Sequence, residues 1–184
     1  MLSWPTLYDI LLLSIRILLL QGLSTIKSRE VQILNKIDNF KDKYYFLSNY
    51  YECPVTYDGI TYQNNEAAFQ AQKCLRYEDR KQFAKLNSSE AKHLGRKISL
   101  RPDWEQIKVQ EMAKIVHAKF EQNDALAKKL CDTDYAYLEE GNTWGDRVWG
   151  TVNGSGQNLL GQILMKEREK IREQLQDQNI EMEI

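Results

Sequence analysis

The sequence predicts an α+β fold, mainly α: a single domain of packed helices carrying a small β-hairpin. Three observations lead there. Pro54-Val-Thr-Tyr-Asp58-Gly59-Ile-Thr-Tyr62 sets two β-rich arms about an Asp-Gly pair, the strongest short hairpin signal. Residues 103–121 carry Ile107, Met112, Ile115, Val116 and Phe120 at helical spacing. A chain of 184 residues, 42% hydrophobic and 10% aromatic, fills one core, leaves little room for two, and excludes whole-chain disorder.

Along the chain, residues 1–35 form an apolar extension of unknown role. Its run Ile10–Leu20 is interrupted by Ser14 and Arg16, too short and too charged for a spanning helix, so no stable membrane insertion is expected. Asp9 and the lack of Lys or Arg before the run do not fit a secretory signal. An accessory helix or a docking helix both suit it. Residues 36–174 are the expected globular domain. The aromatic segment Phe40–Tyr51 reads as a short strand and a turn around Leu47-Ser48-Asn49. After the hairpin, Asn64 or Asn65 caps a helix running to about Cys74. Ser88-Ser89-Glu90 starts another, ending near Arg96. Pro102 opens the long helix from Asp103 to about Glu121. Asn123–Leu130 is a further short helix, Tyr135–Glu140 is extended, and Asn142–Gln157 is a loop broken by Gly145, Gly150, Gly154 and Gly156. Asn158 to about Gln174 is the last helix, and residues 175–184 are a polar tail.

Charge and cysteine usage exclude several function classes. Lys+Arg 25 against Asp+Glu 26 leaves a net charge of −1, too little field to hold a long duplex by counterion release. Base-level or single-stranded substrates stay open. Cys53, Cys74 and Cys131 are widely spaced with no Cys-x-x-Cys pair, and His93 and His117 are the only histidines. That argues against a disulfide framework and a structural zinc site, and fits a reducing cytoplasm. No metal and no cofactor are expected.

The chemistry starts from one helix face. Glu66, Phe69, Gln70 and Lys73 lie at i, i+3, i+4 and i+7, so a carboxylate and an amine share a side with an aromatic and an amide between them. The same spacing suits an ordinary amphipathic helix with its charges matched to the dipole. Asn142-Thr-Trp144-Gly-Asp146-Arg-Val-Trp149-Gly150 puts two indoles beside an acid in a glycine-broken loop. This serves either to stack a nucleotide base or to anchor the loop on the core. Gly154-Ser-Gly156-Gln-Asn158 precedes the last helix, where backbone amides can hold an anion, and Arg96 and Arg101 can supply the cationic half of a phosphate clamp. Cys74 has no nearby histidine to make it a thiol nucleophile.

Together these blocks resemble one family. They are Phe46-Leu-Ser48-Asn49, Tyr57-Asp-Gly-Ile-Thr-Tyr62, Asn65-Glu66-Ala-Ala-Phe69-Gln-Ala-Gln-Lys73, Leu94-Gly-Arg96, Leu100-Arg-Pro-Asp-Trp104-Glu, Ala118-Lys-Phe120-Glu-Gln-Asn123, Asp146-Arg-Val-Trp149-Gly150 and Gly154-Ser-Gly156-Gln-Asn158-Leu-Leu-Gly161. Their order is that of NADAR (YbiA-like) proteins, and they cover about Phe40–Arg172. The resemblance implies an N-glycosidase hydrolysing the bond between ribose C1′ and a nitrogen. Its substrate would be either a phosphoribosylamino-pyrimidine intermediate of riboflavin synthesis or ADP-ribose on the guanine amino group in nucleic acid. An ADP-ribosyltransferase toxin would be a functional counterpart in the second case. The resemblance marks Glu66, Trp104, Asp146, Trp149 and Lys73 as functional, and its first block adds Ser48 and Asn49 as substrate contacts. Many relatives carry His after the glutamate, where this chain has Ala67. A non-catalytic ADP-ribose or nucleotide reader is the alternative.

Breaking an N-glycoside passes through an oxocarbenium-like sugar and needs a negative group near C1′ and a proton for the departing nitrogen. Glu66 and Asp146 suit those roles. Alternatively Lys73, its amine made less basic by burial, forms a Schiff base with the ring-opened sugar. Trp104 and Trp149 would stack, and Arg96, Arg101 and the Gly154–Asn158 turn would take phosphate.

Overall fold

In the computed structural model, residues 35–182 are described, with side chains to 177. The run Ile10–Leu20 lies outside them. The Asp-Gly hairpin is the first expectation met: β2 (Glu52–Tyr57) pairs antiparallel with β3 (Ile60–Asn64), Tyr57 opposite Ile60 and Val55 opposite Tyr62. Asp58 and Gly59 take φ of 49° and 72°, the left-handed pair that a tight hairpin turn demands. Burial alternates along both strands, so Cys53, Val55, Ile60 and Tyr62 face the core. A second, two-stranded sheet joins β1 (Lys36–Ile37) to β4 (Tyr137–Leu138).

The segment before the hairpin is not a strand. Asp42–Leu47 is a 3-10 helix, and Phe46, Leu47, Ser48 and Asn49 are buried consecutively, a pattern no half-buried strand can give. The cause lies 73 residues away in sequence: Lys119 Nζ donates to Phe46 O at 2.6 Å and to Ser48 O at 3.1 Å, claiming carbonyls a ladder would use. Lys119 is 2% exposed, and burial pushes its amine down to about 7. Between about pH 7 and its ordinary value near 10.5, the unfolded chain therefore binds this proton while the folded one does not, and stability rises with pH there. Comparing denaturant midpoints at pH 6.5 and 8.5 tests this: Lys119→Met is expected to remove much of the rise, and an unchanged slope sinks the assignment.

Helix α1 (Asn65–Ala71) is capped by Asn64, whose side chain accepts Ala67 N–H at 2.8 Å, and all seven of its residues are buried. It ends three residues earlier than expected because Gln72, Lys73 and Cys74 donate to Phe69, Gln70 and Ala71, i→i+3 bonds that tighten the last turn. Sequence patterning does not anticipate α2 (Tyr77–Arg80) or the 3-10 turn Lys81–Phe83, a short connection pinned by the fully buried Phe83. Helix α3 (Ser88–Gly95) has a complete capping box between Asn87 and Glu90. Helix α4 (Trp104–Glu121) turns Met112, Ile115, Val116 and Phe120 inward, and α5 (Asp124–Cys131) packs on the last helix.

That last helix, α6, runs Leu159–Met182, so the expected polar tail continues the helix through most of its length. Its Gly161 lets β4 come close: a Cβ there would sit 2.1 Å from Leu138 O. Among the described residues, no helix is long and apolar enough to cross a membrane.

Candidate active site

The face predicted on α1 opens into a cavity of about 930 Å³. Glu66, Phe69, Gln70 and Lys73 form its floor. Ser48 and Asn49 come from the turn after the 3-10 helix, Lys92 and Arg96 from α3, and Trp104 from the start of α4. Asp146 and Trp149 come from the loop after β4. Phe69 stands at the centre of an aromatic group, its ring 5.1 Å from Trp104 and 5.2 Å edge-on from Trp149. Trp144 is also at the cavity but 61% exposed, an indole left to solvent at its mouth.

Glu66 is buried, and Gln70 Nε2 donates to its Oε1 at 2.8 Å. Desolvation raises its carboxyl above the usual range, opposed by Lys92, by the Gln70 hydrogen bond and by Lys73. Lys73 is half-buried, donates to Gly95 O at 3.1 Å and sits over the Trp104 ring at 6.0 Å. Among the described residues it makes no ion pair, and desolvation lowers its basicity, with Glu66 opposing. Its backbone is held too, for Arg101 N–H donates to Lys73 O at 2.9 Å.

The loop holding Asp146 is clamped by Asn142, which receives Asp146 N–H at 3.0 Å and donates to Asp146 O at 2.7 Å. Asp146 Oδ1 in turn accepts the N–H groups of Val148 and Trp149, both at 2.9 Å. This carboxylate therefore shapes the turn that presents Trp149 as well as facing the cavity. Asp146→Asn keeps an oxygen for both amides, whereas Asp146→Ala does not. The alanine variant is expected to lose about 1–2 kcal/mol of stability relative to the asparagine one, read from denaturant midpoints.

Among the described residues, two unsatisfied buried acceptors belong to side chains that line the cavity: Asn49 Oδ1 and Gln70 Oε1 have no hydrogen-bond partner. Sugar hydroxyls are donors of the kind such atoms lack. Gly95 keeps the second in place, since a Cβ there would lie 1.9 Å from Gln70 Oε1. Gly95→Ala is expected to displace this amide from Glu66 and lower kcat/KM at least about tenfold. Steady-state kinetics at an unchanged melting temperature checks it.

Four expected contacts are not brought to the cavity. Arg101 turns to Asp103 in a two-bonded pair, Nε to Oδ1 at 2.7 Å and Nη2 to Oδ2 at 3.0 Å. Gly156 is required by packing, because a Cβ would lie 2.4 Å from Gly150 O, while Gly154 sits at φ +73° in an open turn. Asn158 is buried and spent on the fold: Nδ2 donates to Leu138 O at 2.8 Å, and Oδ1 accepts Glu140 N–H at 3.0 Å. Sequence reasoning missed Tyr50, Lys92 and Glu140, all of which line the cavity. The i, i+4 spacing of Lys92 and Arg96 was a usable signal for a cationic face on α3. Among the described residues, no group of three His, Cys, Asp or Glu is placed to hold a metal ion.

The chain is similar to known proteins over most of its described length. The NADAR domain model matches residues 37–172. The chain is 40% identical over 134 residues to "N-glycosidase YbiA" of Escherichia coli (strain K12), a match covering 71% of this chain and 83% of that protein. It is 37% identical over 133 residues to a "Riboflavin biosynthesis protein" of Vibrio vulnificus (strain YJ016), covering 70% of this chain and 36% of that one. The NMR structure of the E. coli protein YbiA superposes with a TM-score of 0.67 at 36% identity, covering 76% of this chain and 84% of that one.

Proposed function

The chain belongs to the NADAR domain family, and from that premise we propose that it is an N-glycosidase, a hydrolase whose cavity receives a ribose joined through C1′ to an exocyclic nitrogen. The observation that carries this is the convergence of Glu66, Lys73 and Asp146 on one cavity walled by Phe69, Trp104 and Trp149. Trp104 and Trp149 stack against the base or sugar, and Asn49 Oδ1 and Gln70 Oε1 take ribose hydroxyls. Lys92 and Arg96 meet the 5′-phosphate.

Lys73 is the nucleophile. An amine that is less basic than usual and, among the described residues, in no carboxylate ion pair has more of its lone pair available than an exposed lysine. Ring opening of the ribosylamine gives a C1′ iminium, and Lys73 Nζ adds to it. The electron pair of the C1′–N bond then leaves with the protonated nitrogen, giving a lysine imine at C1′. Water adds to that imine and frees the sugar aldehyde and the amine. Lys92, Gln70 and Lys73 favour the carboxylate form of Glu66 against desolvation, and in that form it stabilises the positive charge that builds at C1′.

The cavity volume is that of a small-molecule site, which favours a phosphoribosylamino-pyrimidine as substrate. Incubating the protein with that compound and, separately, with ADP-ribosyl-guanine in an oligonucleotide tests the reading. Release of ribose 5-phosphate from the first supports it, and release of ADP-ribose from the second alone moves the substrate to modified nucleic acid. Binding without release of either makes the protein a reader and overturns hydrolysis.

A further inference from the structure

Beside Glu66 and Asp146, Glu140 is the third carboxylate of the cavity that is not exposed, and its backbone is fixed on both sides. Its N–H donates to Asn158 Oδ1 at 3.0 Å, and its carbonyl accepts Thr151 N–H at 2.9 Å. Gly150 packs against it so closely that a Cβ there would lie 2.1 Å from Glu140 O. The position is built rather than incidental. Yet the side chain, which lines the cavity, accepts no hydrogen bond and joins no ion pair among the described residues. The other two acids differ. Glu66 is bonded to Gln70 and opposed by the cations Lys92 and Lys73, and Asp146 gives Oδ1 to two backbone amides.

We propose that Glu140 is a catalytic residue, the carboxylic acid that hands its proton to the departing nitrogen as the C1′–N bond breaks. The inference rests on the N-glycosidase reading above. As the bond to C1′ breaks, its electron pair goes to the nitrogen, the Glu140 O–H proton joins that nitrogen, and Glu140 is left as carboxylate. The water that later adds to C1′ returns a proton to it, which closes the cycle with one water consumed. The charged groups facing Glu140 are Asp146 from its own loop, Glu66 from α1 and Lys92 from α3. Burial first, then the Asp146 and Glu66 carboxylates, push its carboxyl up to about 7, with Lys92 opposing. Two acids in one site with different surroundings, one hydrogen-bonded and facing cations and one without a hydrogen bond, suit the division of labour that glycoside cleavage uses.

The test measures kcat and KM of the full chain between about pH 5.5 and 9, on the phosphoribosylamino-pyrimidine and on the ADP-ribosyl-guanine oligonucleotide. It is paired with carboxyl ¹³C NMR titration of the wild type and Glu140→Gln. In the wild type kcat falls on the alkaline side with an inflection near 7. Glu140→Gln is expected to lower kcat about 100-fold or more, leave KM within about threefold, and abolish the alkaline limb. The carboxyl resonance titrating near 7 should vanish with it. Glu140→Asp, which keeps an acid of shorter reach, should retain the limb at reduced kcat, and it carries the test if the glutamine variant does not fold. Unchanged kcat and limb in Glu140→Gln, or no carboxyl titrating above about 6, overturns the role while leaving the glycosidase reading intact. Failure of the wild type to release either product overturns that reading, and this role with it.

Discussion

Glu66→Gln is expected to lower kcat about 1,000-fold while the protein stays folded. The substitution keeps the volume of the side chain and an oxygen that can still accept from Gln70 Nε2, the 2.8 Å contact that orders the floor of the cavity. What it removes is the capacity to carry negative charge beside C1′, whose worth is largest where water is excluded. Because Glu66 is buried and its carboxyl raised by desolvation, losing that charge costs the fold little, and the melting temperature should hold or rise slightly. The loss should fall on kcat rather than KM, since the charge matters only when C1′ becomes electron-poor. A Glu66→Gln enzyme within about threefold of wild type removes the carboxylate from the mechanism.

Lys73→Met is expected to reduce turnover at least as much, because it deletes the nucleophile while keeping the apolar stem that packs beside Trp104. The direct readout is chemical. Borohydride added during turnover should leave one sugar adduct on Lys73, located by peptide mass, and none in the methionine variant. Full turnover with no adduct replaces the imine with direct attack by water assisted by the carboxylates. The pH dependence has a definite sign. Desolvation lowers the basicity of Lys73, so its free-amine fraction exceeds that of an exposed lysine and grows as pH rises. Deprotonation of Lys73 therefore favours activity as pH rises, and ionisation of the acid partner opposes it.

The parts of the fold written in local chemistry were legible from the chain. Asp58-Gly59 declares its turn, Asn64 its cap, and the spacing of Glu66, Phe69, Gln70 and Lys73 their common side. The misreadings share a cause, which is that a partner the local pattern does not announce decides what a residue or segment does. The 3-10 helix Asp42–Leu47 depends on an amine from α4, and no pattern within Phe40–Tyr51 announces it. Arg101 looks like a phosphate ligand until Asp103, two residues on, takes its guanidinium. Gly156 looks like an anion cradle until the neighbouring Gly150 carbonyl explains why no side chain fits. Glu140 carries no motif at all. It matters only because the loop after β4 folds it against Asp146 and Glu66.

Among the described residues, desolvation makes two lysines less basic, and they differ in access. The Lys119 amine is enclosed and held by two carbonyls, whereas Lys73 opens on the cavity. Aldehyde warheads that label weakly basic amines should therefore discriminate by entry rather than by acidity, reacting at the first position only after denaturation and at the second in the intact protein. A covalent inhibitor could be aimed at one lysine here without protecting the other.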